Sequence, residues 1–160
     1  MTRISTVFQV LTLIALSLYS GALFFIAIAV VSFWQAAQPS MFLSWMSANF
    51  YRFPSIMIPL NMLSLLMLIV ALATAWKSSP SSRLPLSLGL ISLFIATITF
   101  PIYFAGANAE FLSQTMDLGD ISEKIEIWSN WHWFRTELTI LSIVFVSWAL
   151  LNRGDEVAKA

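Results

Sequence analysis

"LTILSIVFVSWALLN", residues 138–152, is apolar enough to cross a bilayer and too short to do so. A span needs about 20 residues at ~1.5 Å each, and these residues cover only about 22 Å. The helix must therefore begin earlier, around Asn130 to His132, inside "WSNWHWFRTEL", residues 128–138. That draws His132, Arg135 and Glu137 to the membrane boundary or below it. Trp128, His132, Arg135 and Thr139 follow the i, i+4, i+7 spacing that puts side chains on one helix face. Arg135 and Glu137 are two apart, point to nearly opposite sides, and each needs its own partner.

The rest of the chain agrees with a membrane protein. It has 160 residues, 59% hydrophobic and 10% charged, against about 25% charged in a soluble domain. Charge is absent between Arg3 and Arg52, between Arg52 and Lys77, and between Arg83 and Glu110. The expected spans are 7–34, 55–76, 86–104 and 131–152, an all-α, up-down four-helix bundle in one domain. The first run is too long for a cleaved signal sequence, whose apolar part covers about 7–15 residues. Arg3, Lys77, Arg83, Arg153 and Lys159 fall on one side and Arg52, Lys124 and Arg135 on the other, which predicts both termini in the cytoplasm. The tail "NRGDEVAKA" reads as a short disordered end.

Two outward connections are expected, 35–54 and 105–131. The first, "QPSMFLSWMSANFYRFP", reads as an interfacial anchor, with a lid over the bundle mouth as the sharper alternative. In the second, Asp120 and Glu123 have capping-box spacing, so the last helix should start there and project outward before entering the membrane.

Zero net charge points to no nucleic-acid partner, and the absence of cysteine removes disulfides and thiolate metal sites. One histidine without cysteine cannot close a zinc or copper site. On placement alone, snorkelling of Arg135 and Glu137 to the headgroups stands slightly ahead of a buried site. The site gains weight from polar residues that could converge with the His132 row at the outer ends of the helices. These are Asn61 in "MIPLNML" and Tyr103, Asn108 and Glu110 in "PIYFAGANAEF".

The W-x3-H-x2-R-T pattern of Trp128, His132, Arg135 and Thr136 resembles the opening of the last helix in the anthrone oxygenase-like family of four-span membrane proteins. "SGALFF" in the first span is similar as well. The family's Pro-x-Asn element is represented by Pro101, with Tyr103 in the Asn position and Asn108 five residues later. The resemblance implies oxidation of a flat aromatic, quinone-like molecule in an outer-side pocket, without metal, flavin or other cofactor. It implies His132 as general base, Arg135 as stabiliser of an enolate or superoxide, and Trp128 and Trp131 stacking on substrate; Asn61, Tyr103 and Asn108, if they converge as their positions allow, would then line the same substrate site. Beyond the lipid bilayer and an apolar aromatic ligand, the partners expected are a homo-oligomer or a larger membrane complex. In the last case the chain would be a non-enzymatic accessory subunit. Transport is the weakest reading, because no broken-helix pair or chain of acids lies within the spans.

Overall fold

The computed structural model describes the backbone of residues 2–158 and the side chains of residues 3–152. The chain is a multi-pass, all-helical membrane bundle of four long apolar helices and one short one. Helix α1 covers Arg3–Ala36, α2 Pro39–Asn49, α3 Arg52–Ser78, α4 Pro80–Ser113 and α5 Ile121–Ala158. Helices α1, α3, α4 and α5 form a closed square in which each packs on its two neighbours, with the α3–α4 seam the most thinly packed. Helix α2 lies across one end of the square, hereafter the cap end. The Pro80–Ser82 turn between α3 and α4 marks the opposite, turn end.

The helices are longer than expected, and the excess is concentrated at the cap end. Residues 35–54, read as a loop, contain α2. Pro39 occupies its first turn, where a missing N–H costs nothing, and Phe42, Leu43 and Met46 bury one face. Each such side chain withdrawn from water contributes about 1.5–3 kcal/mol, enough to hold a short helix down. The expected connection 105–131 is mostly helix too. Pro101 has no N–H for the i→i−4 ladder, yet α4 passes it by widening to a π-helical turn, Phe100–Phe104. The helix then continues to Ser113, and Gln114 ends it in the left-handed conformation, φ 56°. In the short connection that follows, the Gly119 N–H donates to Asp117 Oδ1 at 2.9 Å. The Lys124 N–H donates to the Asp120 carbonyl, so Asp120 takes the cap position of α5. At the other end α5 runs on to Ala158 where a disordered tail is expected; the side chains of the RGD sequence lie outside the described residues.

Two apolar clusters hold the bundle. At the turn end Leu16, Leu68, Leu86, Leu93 and Val146 interlock. At the cap end Trp34 is the hub, with ring centroids 5.0 Å from Trp128, 5.5 Å from Phe42 and 6.3 Å from Phe53, all edge-on. Such pairs add about 0.5–1.5 kcal/mol each beyond burial.

The α4–α5 contact is set by a small residue. A Cβ at Gly89 would lie 3.4 Å from the Ser142 carbonyl and 3.4 Å from Val146 Cγ2, and Ser142 Oγ donates to the Gly89 carbonyl at 2.9 Å. Small residues let membrane helices approach this closely. Gly89→Ala is therefore expected to be tolerated, whereas Gly89→Leu should force α4 and α5 apart and lower the unfolding temperature in nanodiscs by several degrees. Equal unfolding temperatures for the two variants would show that this contact is not a tight one.

Candidate functional site

The row of Trp128, His132, Arg135 and Thr139 is buried along its whole length, at 5%, 0%, 9% and 0% exposure. Arg135 thus turns into the bundle and does not snorkel, while Glu137, two residues on, projects outward. The face is polar, and α5 can bury it only because α1 and α4 supply partners.

His132 joins two helices. Its Nε2 donates to the Leu23 carbonyl of α1 at 2.9 Å, and Arg135 Nη2 donates to its Nδ1 at 2.7 Å. A carbonyl can only accept and a guanidinium can only donate, so the ring is the neutral Nε2–H tautomer with both nitrogens engaged. The Leu23 bond falls just before a π-helical turn in α1, Ile26–Val30, which contains no proline or glycine. A side chain that takes a carbonyl out of the helical ladder is a known cause of such widening. The Trp128 indole stacks on the imidazole at 4.8 Å, and its Nε1 donates to Asn108 Oδ1 of α4 at 2.9 Å. Thr136 donates to the His132 carbonyl at 2.7 Å, securing the same turn of α5.

Among the described residues Arg135 has no carboxylate partner. The ion pair found among the described residues joins Lys124 to Glu110 at the cap end. The guanidinium instead lies over the Phe104 ring, its Cζ 4.0 Å from the centroid, and its Nε has no partner. A desolvated cation–π contact is worth about 2 kcal/mol, well short of a carboxylate's compensation.

Arg135 faces a cavity of roughly 270 Å³ between the helices. Trp34, Phe53, Met57, Phe100, Phe104 and Trp128 make most of its apolar wall. Across from Arg135, Asn61 Nδ2 donates to the Tyr19 hydroxyl at 3.0 Å and Thr97 Oγ1 donates to Asn61 Oδ1 at 3.0 Å. This relay ties α1, α3 and α4 together on the cavity wall. Ile58 and Met62 of α3 and Phe100 of α4 line the cavity and are also 50%, 48% and 41% exposed on the outside of the bundle. The cavity therefore communicates with the lipid face along the thin α3–α4 seam.

The expected site residues separate into two groups. Arg135, Trp128, Asn108 and Asn61 meet at the cavity. Tyr103 and Trp131 do not line it; they stack on each other at 5.0 Å with 10° between their planes, half-buried on the flank of the α4–α5 contact. Their spacing suits a helix–helix pair as well as a ligand clamp, and packing decides between the two. His132 does not line the cavity either. It stands behind Trp128 and Arg135 with no free lone pair, so the base role expected of it requires Arg135 to let go first. Tyr19, Trp34 and Thr97 are cavity residues that sequence reasoning missed. The signal available for Tyr19 was a phenol within an otherwise uncharged span. Among the described residues, no three His, Asp, Glu or Cys side chains group as metal ligands.

Comparison with family models, with curated proteins and with solved structures finds no match to this chain.

Proposed function

We propose that the chain binds a flat, apolar, oxygen-bearing aromatic molecule in this cavity and, like the anthrone oxygenase-like proteins its W-x3-H-x2-R-T pattern resembles, exposes it to dioxygen. The observation that carries the reading is the wall itself: aromatic on most sides, small-ligand in size, with one guanidinium turned into it. Oxidation of a ring-flanked methylene to a carbonyl places one atom of dioxygen in the product and the other in water. The substrate supplies the four electrons, so the reaction makes no demand for a resident cofactor. In this scheme Arg135 meets the substrate oxygen, Trp128 and Phe104 form the ring-stacking walls, and His132 positions Arg135 and Trp128. The lipid-facing side chains Ile58, Met62 and Phe100 support access from the bilayer, where an apolar substrate concentrates. The lysine and arginine distribution supports placing the termini and the Pro80–Ser82 turn in the cytoplasm, with the cap end outside.

The test is purification from native membranes in mild detergent, followed by mass spectrometry of the small molecules and proteins retained. The expected result is an oxygenated aromatic compound in the wild type that is lost from Met62→Trp, a variant that fills the cavity mouth without touching the buried polar row. A fixed, stoichiometric protein partner with no such compound would replace this reading with that of an accessory subunit.

A further inference from the structure

Burial at Arg135 creates a charge imbalance that the protein itself does not correct. Among the described residues four buried side-chain polar atoms have no hydrogen-bond partner, and two of them, Arg135 Nε and Trp34 Nε1, belong to residues lining the one cavity described above. Both are donors, on side chains only 9% and 2% exposed. The other polar groups on the wall lean the same way. The Tyr19 oxygen already accepts from Asn61, which leaves its own hydrogen to donate, and Asn108 Oδ1 is taken by Trp128. The Arg135 guanidinium thus stands on the cavity wall as a full charge with an incomplete set of partners.

A cavity with these properties favours an acceptor-only ligand. Charge narrows the choice further. No aspartate or glutamate lines the cavity, and the titratable groups facing Arg135 are the Tyr19 hydroxyl from α1 and the neutral imidazole of His132 on α5; α3 and α4 contribute none to the wall. A neutral carbonyl would satisfy a hydrogen bond and leave the buried cation uncompensated. An oxyanion does both, and charge-assisted bonds of this kind are roughly twice as strong as neutral ones.

Resting on the reading of this cavity as a ligand site, we propose that it takes its ligand as a monoanion. The ligand is an aromatic phenolate or enolate whose oxyanion pairs with Arg135. The acidic proton is then left in solvent or at the headgroups before binding, and no protein base is needed to remove it. That removes the difficulty posed by His132, whose lone pair is occupied.

The experiment uses the full chain in nanodiscs with two probes, 2-hydroxyanthraquinone and its methyl ether, 2-methoxyanthraquinone. The hydroxyl compound absorbs at longer wavelength once ionised, so the bound species is read directly. At a pH one unit below its solution pKa, the bound compound should show the spectrum of the anion, and the methyl ether should bind at least tenfold more weakly. In Arg135→Gln the bound hydroxyl compound should show the neutral spectrum, with the two affinities drawn together. Arg135→Lys, which keeps the charge, should restore the anion spectrum in part. Equal affinities and a neutral bound spectrum in the wild type would overturn the monoanion inference and leave the cavity reading standing. Failure of both compounds to bind saturably would overturn the cavity reading and the inference with it. The wild-type measurement decides the matter even where a variant does not fold.

Discussion

Replacing His132 with alanine should lower stability by about 3–5 kcal/mol, from two buried hydrogen bonds at about 1–3 kcal/mol each and the lost packing of the ring. The residue is fully buried and carries two bonds that nothing else can make: the donation to the Leu23 carbonyl and the acceptance from Arg135 Nη2. Its removal breaks the side-chain bond that joins α5 to the Leu23 carbonyl of α1 and takes the nitrogen acceptor from a guanidinium that already has one unpartnered atom. It also leaves the Trp128 indole without the ring it stacks on. For a chain of this size each kcal/mol shifts the unfolding midpoint by roughly 2–4 °C, so a fall on the order of 10 °C is expected. Thermal unfolding in nanodiscs measures it, with Phe134→Ala as a control on the exposed side of the same helix turn. His132→Gln can reproduce one of the two bonds but not both, and should fall between. A His132→Ala midpoint within 2 °C of the control would mean that the α1–α5 contact does not depend on the imidazole.

Arg135 should behave in the opposite sense. Arg135→Met keeps an unbranched apolar stem, though a shorter one, removes the buried charge, and leaves His132 Nδ1 without a donor. The last effect costs about 1–3 kcal/mol, and the lost cation–π contact with Phe104 about 2 kcal/mol more. Against these stands the desolvation penalty of an ion with no carboxylate beside it, several kcal/mol in its own right. The two sides are close, so the unfolding midpoint should stay the same or rise, while binding of an acidic aromatic ligand falls at least tenfold. That divergence is what a residue kept for binding, at a cost to stability, should produce. Parallel unfolding and binding measurements on the same preparation decide it. A midpoint lowered as far as that of His132→Ala would make Arg135 a structural partner of the imidazole and remove the main support for the ligand site.

Much of this architecture is set by composition and spacing. Four uncharged runs and a hydrocarbon core ~30 Å thick leave few solutions other than four helices, because backbone polar groups in lipid must be satisfied within the segment. The shortness of residues 138–152 alone requires the fourth helix to begin among ionisable residues, and 3.6-residue periodicity puts Trp128, His132, Arg135 and Thr139 on one face. Periodicity says nothing of which face turns inward. Position alone favours snorkelling of Arg135 slightly over burial, and the outcome is reversed by what α1 and α4 offer: a carbonyl at Leu23 for the imidazole, an amide at Asn108 for the indole, a ring at Phe104 for the guanidinium. The same limit applies to Tyr103 and Trp131, whose identities suit a ligand wall but whose positions pair them with each other. It applies to α2 as well, where an aromatic-rich loop becomes a helix because Trp34 and Phe111 are there to receive Phe42. The number of membrane-crossing helices and the polar row on the last of them are legible in residue order alone, since hydrophobicity and helical pitch are properties of the local chain. That this row closes on a cavity, and that His132 stands behind its wall, follows from neighbours brought together by packing across the bundle, which no local property of the chain encodes.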